Sequence, residues 1–383
     1  VSNTAQAQVA YIKETTFNTQ KTGSALQILR YSGESLKQDA GVSQGEEIRG
    51  DRQIPSMRRT RKSASGGING LFSYGTYDDL LASVLQAASW NAAVTVGPII
   101  TISAASGDNS FNDSGSGFGS LVANQWVYVT GFTTAGNNGF FKIATKTTGK
   151  ITVTGGTLVS EDAGDSVTIK QGAYIVNGVT LDTYNFERKY ADLTTELALL
   201  TGMALNGLSL AIPQEGDISI GFDLIGGGEQ SLATTGGSGY TAATTTEKFN
   251  GLDVNHLYEN LADLTVANFS LQINNNLRSR LVIGSSGILS IGSGNINVSG
   301  ALRTYYTSKT LFDKWLNETP TALALAVSDA AGNRYVIDLP KVKFTAGARV
   351  AGGPNDDCFA DLQWTAYMHA TEAITARIAR FAA

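Results

Sequence analysis

Residues 358–368, Cys358-Phe359-Ala360-Asp361-Leu362-Gln363-Trp364-Thr365-Ala366-Tyr367-Met368, change character at every second position. Cys358, Ala360, Leu362, Trp364, Ala366 and Met368 fall on one side; Asp361, Gln363 and Thr365 fall on the other. Successive strand side chains point to opposite faces, so a period of two predicts a strand with one buried face. On this pattern Cys358 reads as a small core residue at the head of the strand. The same period recurs upstream. Ile68, Gly70, Phe72 and Tyr74 alternate with Asn69, Leu71 and Ser73, and Ile218, Ile220, Phe222 and Leu224 alternate with Ser219, Gly221 and Asp223. Ala330-Ala331-Gly332-Asn333 parts runs 323–327 and 335–339, which predicts a hairpin. The chain is therefore expected to be mainly β.

Two short helices interrupt the strands. Leu81, Val84, Leu85 and Ala88 form one apolar stripe, preceded by Asp78 and Asp79 at the positive end of the dipole, with Thr76 as the expected cap. A second helix starts at Thr310, carries Phe312, Trp315 and Leu316 as its stripe, and cannot pass Pro320. Both lie in a repeat with a constant offset of 234 residues. Ser65-Gly66-Gly67-Ile68 matches Ser299-Gly300-Ala301-Leu302, Phe72-Ser73 matches Tyr306-Thr307, and Thr76 and Asp79 match Thr310 and Asp313. The repeat predicts two related sheet halves, each plugged by one helix. Residues 93–176 carry their own strand signals at 126–130, 140–144, 151–154 and 167–170, with Asn137-Asn138-Gly139 as a tight-turn signal. The expected organisation is a core of residues 1–92 and 177–383 with a small β-barrel domain, 93–176, inserted into it.

Composition narrows the function. The 383 residues carry 16% charged side chains against a usual ~25%, and 43 glycines, about 11% against ~7%. The formal charge of -5 argues against a binder that holds nucleic acid through overall positive charge. A single cysteine, Cys358, rules out an intramolecular disulfide framework and any Cys-based zinc site. Two histidines, His256 and His369, leave little for triad or His-metal chemistry. No catalytic residue, cofactor site or metal site is expected. Val1–Ala10 lacks a basic start and an apolar stretch, and the most apolar window, 197–212, is broken by Thr201, Gly202, Asn206, Gly207 and Ser209. Neither a secretory signal nor a spanning helix is expected.

The individual motifs have plain readings. Gly115-Ser116-Gly117-Phe118-Gly119 and Gly226-Gly227-Gly228 open no amphipathic helix and precede no Gly-Lys-Ser or Gly-Lys-Thr, so they read as loop tips rather than phosphate cradles. Asp108, Ser110 and Asn112 have calcium-loop spacing, but the twelfth position is Gly119 where a bidentate glutamate is needed. Asp356-Asp357 lie adjacent in a turn and define no acid–base pair, and Cys358 with His369 makes no convincing dyad. Sequons at Asn112, Asn268, Asn297 and Asn317 carry no weight without a secretory signal.

One cluster stands apart. Arg49, Arg52, Arg58, Arg59, Arg61 and Lys62 fall within fourteen residues, opposed by Asp51 and preceded by Glu46 and Glu47. The alternatives are a solvated loop, a DNA contact, which the acidic chain argues against, and a protein interface where arginine forks meet carboxylates of a neighbour. The interface is favoured, with the cluster on a long loop between two strands.

In order along the chain, several stretches resemble the tail tube (major tail) proteins of long, non-contractile-tailed bacteriophages. They are Ala10-Tyr11-Ile12-Lys13-Glu14-Thr15-Thr16-Phe17, Arg30-Tyr31-Ser32-Gly33-Glu34-Ser35-Leu36, Glu47-Ile48-Arg49 with Asp51-Arg52-Gln53, and Ser73-Tyr74-Gly75-Thr76-Tyr77-Asp78-Asp79. Thr201-Gly202-Met203, Asn274-Asn275-Asn276-Leu277, Asn317-Glu318-Thr319-Pro320 and Gly332-Asn333 through Leu339-Pro340 continue the series. The resemblance covers 1–92 and 177–383, and 93–176 departs from it. It implies a tail-tube-type β-sandwich or barrel whose hexameric rings stack into a hollow tube, a conduit for genomic DNA during ejection. It also implies a virion-tail location after assembly in the host cytoplasm. The implied partners are further copies of the chain, tape-measure, tail-tip and tail-terminator proteins, and double-stranded DNA passing without specific binding; no membrane is involved. A conduit of this kind should expose neutral or acidic side chains to its lumen and keep the 49–62 cluster out of it. The other readings are a related injection-machine part, a secreted or surface β-rich binding module such as an adhesin or carbohydrate binder, and a hydrolase with an inserted domain.

Overall fold

The computed structural model describes residues 3–193, 196–355 and 357–383. Val1 and Ser2 of the amino-terminal segment and Asp356 of the acidic turn lie outside them. Among the described residues, nineteen strands form one sheet system, seven form a second, and two form a separate hairpin.

The backbone of the large sheet is an antiparallel run of ten strands, each in register with the next. Its order is Lys37–Gln44, Met57–Leu71, Ser219–Gly226, Leu197–Ile212, Val266–Asn274, Asn297–Tyr305, Cys358–Ala366, Arg334–Ala351, Thr321–Ser328 and Val254–Glu259. The alternation in 358–368 is realised. Ala360, Leu362, Trp364 and Ala366 are buried on the core side, and Asp361, Gln363 and Thr365 lie on the other. Ile68, Phe72, Ile218, Ile220, Phe222 and Leu224 join the same core. The 323–327 and 335–339 hairpin forms with Leu325 opposite Ile337. Cys358 departs from expectation. It sits at the exposed tip of the strand opposite Ala351, where the partner strand has no buried residue beyond Phe344.

Helix α1, Asp78–Val84, lies in the core, with Leu80, Leu81, Val84 and Leu85 no more than 2% exposed. At about 1.5–3 kcal/mol for each buried leucine or valine, this stripe is enough to hold a two-turn helix that would not persist alone. Thr76 does not cap it. The Thr76 hydroxyl instead bonds the hydroxyls of Ser73 and Thr244, both at 2.6 Å. The helix start is tied across the molecule, because Asp78 accepts from the Tyr335 hydroxyl at 2.5 Å and pairs with Arg380. Helix α2, Thr310–Leu316, begins where expected but has no fully buried residue. Both repeat copies thus run strand, turn, helix, yet only α1 plugs a core; α2 rests on the surface through the partly buried Leu311 and Trp315.

The seven-stranded sheet is antiparallel in the order Val94–Ile99, Val167–Gln171, Trp126–Thr130, Gly139–Lys146, Lys150–Thr154, Ser110–Asp113 and Ile102–Ala105. Val96, Ile102, Phe111, Val129, Ile143, Val153 and Ile169, one or more from each strand, meet in a single core, so the sheet curls round it. Asn137-Asn138-Gly139 is not a two-residue turn. An eight-residue connection, 131–138, links Trp126–Thr130 to Gly139–Lys146, and Asn138 pins it by accepting from the Phe132 amide at 3.0 Å. Ala173–Val176 pairs with Arg377–Phe381 of the large sheet. No helix among the described residues is long and apolar enough to cross a membrane.

Candidate functional site

The basic cluster lies mostly on a strand rather than on the expected long loop. Arg58, Arg59, Arg61 and Lys62 belong to Met57–Leu71, and only Arg49 and Arg52 sit in the connection to Lys37–Gln44. The two strands stay paired out to Gln44 and Met57, well past the point where the core ends at Ala64. They form an arm exposed on both faces. Arg49 grips Asp51 with Nε and Nη2 at 3.1 and 2.9 Å, and this fork holds the Asp51 carboxyl below its usual pKa. Arg58, Arg59 and Arg61 take part in no ion pair within the described chain. Val42, Ile48, Ile54 and Met57 are exposed beside them.

The arm's base meets a hairpin that sequence reading passed over. Arg278–Arg280 pairs with Ser290–Gly292, and the Lys62 amide donates to the Ser286 carbonyl at 2.7 Å. At the other end of the same strand, Leu71 faces Ser219, and the loops beyond carry Glu215, Asp217, Glu247 and Asp253.

Between these ends lies a broad face without catalytic equipment. One register row crosses six strands: Asn69, Gly221, Ser209, Gln272, Ser299 and Thr365. The adjoining rows hold Gly67, Asp223, Gly207, Asn274 and Asn297 on one side, and Ser219, Ala211, Ser270, Ala301 and Gln363 on the other. These side chains are small and neutral, with Asp223 as the acid among them. Two bases stand at its margin: Lys343, opposite Thr365 on the next strand and 3.4 Å from Glu318, and Arg303, one row further on and 3.4 Å from Asp361. A shallow groove of about 490 Å³ crosses the same strands at Ala211, Ser270, Ala301 and Ala346. Six of these sixteen positions were legible as the polar phase of the alternation: Asn69, Ser219, Gly221, Asp223, Gln363 and Thr365. That these meet in rows depends on register.

The remaining motifs have structural partners. Asp113 accepts from the Gly115 and Gly117 amides and shapes that glycine turn. Asp108 pairs with Lys150 and accepts from Ser110. Asp357 and Cys358 are exposed, and His369 lies past the far end of the strand, accepting at Nδ1 from the Glu372 amide at 3.2 Å.

The family model for phage tail tube protein matches residues 4–366, nearly the whole chain. No curated protein matches it.

Proposed function

Since the chain belongs to the phage tail tube protein family and is a structural protein of the virion tail, we propose that it closes into hexameric rings, that the rings stack into the tube, and that the tube conducts DNA during ejection. The small neutral face is the lumen wall, and it is the observation that carries the proposal. Duplex DNA presents a charge about every 1.7 Å, and proteins grip it by matching phosphates with lysine and arginine. The Ser, Asn, Gln, Gly and Ala of this face offer no such partners, its marginal bases Lys343 and Arg303 are already paired with Glu318 and Asp361, and Asp223 adds weak repulsion. Its lack of aromatic side chains also removes the stacking platforms that hold unpaired bases. Six copies at -5 each give a conduit of about -30, which does not retain a polyanion.

Ring closure needs an edge to pair. Lys37–Gln44 has a ladder only on its Met57–Leu71 side among the described residues. An unpaired edge is a template for a neighbour's strand, and a heterologous contact that closes makes a ring. The core of the tube is 1–92 with 177–383. Segment 93–176 is an added domain on the tube's exterior, supported by its own core and by its docking through residues outside the polar rows. Arg49, Arg52, Arg58, Arg59, Arg61 and Lys62 serve contacts between subunits rather than DNA. Assembly takes place in the host cytoplasm with tape-measure, tail-tip and tail-terminator partners.

Negative-stain electron microscopy over a concentration series tests this. Hollow tubes with a stain-filled centre are expected. Protein that stays monomeric and also fails to add to isolated tail tips overturns it.

A further inference from the structure

The end of the molecule that bears the arm also bears an apolar loop with no task in the monomer. In the connection 281–289, Ile283 is fully exposed and Leu281, Val282 and Leu289 are 42–59% exposed. The loop is held in place. Ile288 and Ile291 pack on Ala204, the flanking strands pair, and Ser286 accepts from the Lys62 amide. Arg278 and Arg280 lie on its flanking strand, and Lys62 joins it to the arm, whose six bases outnumber Glu46, Glu47 and Asp51. A fixed apolar patch with a charged rim marks an interaction surface.

The opposite end is its complement. There Leu252 is 91% exposed on the short turn Gly251–Asp253, between Glu215, Asp217, Glu247 and Asp253. This end is also rigid, because the Gly251 amide donates to the Gly216 carbonyl and the Ile218 amide to the Phe249 carbonyl, both at 2.9 Å. Its one lysine, Lys248, is already paired with Asp217 at 2.5 Å. From Arg58 to Leu71 the connecting strand spans roughly 43 Å at about 3.3 Å per residue, so one molecule cannot satisfy itself. Two ends with the same excess charge repel, which disfavours a two-fold contact through either end.

We propose that a second copy of this chain docks head to tail, the 281–289 loop and arm of one copy seating on Leu252 and the acidic loops 213–217 and 247–253 of the next. This rests on the tube reading and specifies how its rings stack. A heterologous contact between opposite ends adds copies along one axis, as a tube requires. The buried apolar centre supplies affinity, and the opposite charges set orientation.

The test is a chain carrying Ile283→Cys and Leu252→Cys with Cys358→Ser, assembled and then treated with a short bis-maleimide. All three positions are exposed, so folding is not at stake. The expected result is a ladder of multiples of 40.3 kDa on a denaturing gel, absent from each single-cysteine chain. Tubes without a ladder overturn the docking and leave the tube reading standing. A wild type that never assembles overturns both. As a second arm, Ile283→Asp should raise the concentration needed for assembly at least tenfold. If it leaves assembly unchanged but abolishes binding to phosphatidylserine vesicles, the loop serves a membrane and the proposal falls.

Discussion

Gly221 and Gly300 show how single residues shape the two faces of one sheet. A Cβ on Gly221 would stand 2.7 Å from Ser209 Oγ and 2.8 Å from Asn69 Oδ1, so its neighbours in the polar row lean across the space a side chain would fill. On Gly300 a Cβ would overlap the Ser270 carbonyl and the ring of Trp364, which stacks on Phe269 with centroids 5.7 Å apart. Gly300→Ala should therefore destabilise the fold by about 1–3 kcal/mol, read from urea denaturation. Asp223 is exposed on the polar face, where the lumen proposal has it face the cargo. Asp223→Lys should leave tubes intact and raise their affinity for duplex DNA at least tenfold at low salt, with a steep loss as salt rises. Filter binding measures this, and an unchanged affinity counts against the lumen assignment.

At the scale of elements, the arm and the docked small sheet behave oppositely. The arm contributes nothing to the core, so Arg58→Ala, Arg59→Ala and Arg61→Ala together should leave the melting temperature of the monomer within a degree or two while impairing tube formation. Normal tubes from the triple variant would remove the arm from assembly. The small sheet is fastened firmly. Trp126 stacks on Tyr258 at 5.6 Å, Phe140 meets Phe381, and Arg334 lies 3.9 Å over Tyr128. Lys142 reaches Asp338 at 3.1 Å and Glu372 at 2.9 Å, and Arg377 bonds the same two carboxylates at 2.7 Å each. Burial would raise the Glu372 pKa, but Lys142 and Arg377 overrule it and hold the group below its ordinary value. A depressed carboxyl stabilises the fold above its unfolded pKa of about 4.3, and that contribution is lost as pH falls through the folded value. Thermal melts between pH 6 and pH 3 should fall less steeply for Glu372→Gln than for wild type. Arg377→Met, which leaves the buried Asp338 and Glu372 to share Lys142 as their one remaining cation, should cost about 3 kcal/mol at neutral pH, the low end for a broken buried pair.

For the whole molecule the feature on which the docking proposal turns is polarity along the strand axis: bases outnumber Glu46, Glu47 and Asp51 at the arm end, and acids outnumber Lys248 at the other. Reversing one end should block stacking, and reversing both ends in separate chains should restore it. Glu215→Arg with Glu247→Arg, and Arg58→Glu with Arg59→Glu and Arg61→Glu, should each fail to elongate alone. Their mixture should form tubes under the microscope, because every contact then again joins opposite charges. A mixture as inert as its components would show that these ends do not meet.

The sequence alone determined the class of fold, because a period of two and a buried apolar phase are local properties that leave a strand few other options. It also determined the polar phase: Asp361, Gln363, Thr365, Ser219, Gly221 and Asp223 were assignable to an outer face before any partner strand was known. The order of family-like stretches pointed to a tail tube protein. Register was beyond it, since pairing Ser209 with Gly221 and Gln272 depends on contacts far apart in the chain, and only those pairings make scattered small residues into one wall. Tertiary structure also decided the outliers. Cys358 is exposed because the sheet outruns its core, α2 stays outside because its stripe finds only a surface to rest on, and Thr76 spends its hydroxyl on Ser73 and Thr244 instead of a helix end. Local pattern states what a side chain prefers; whether another layer is there to meet it is a property of the folded whole.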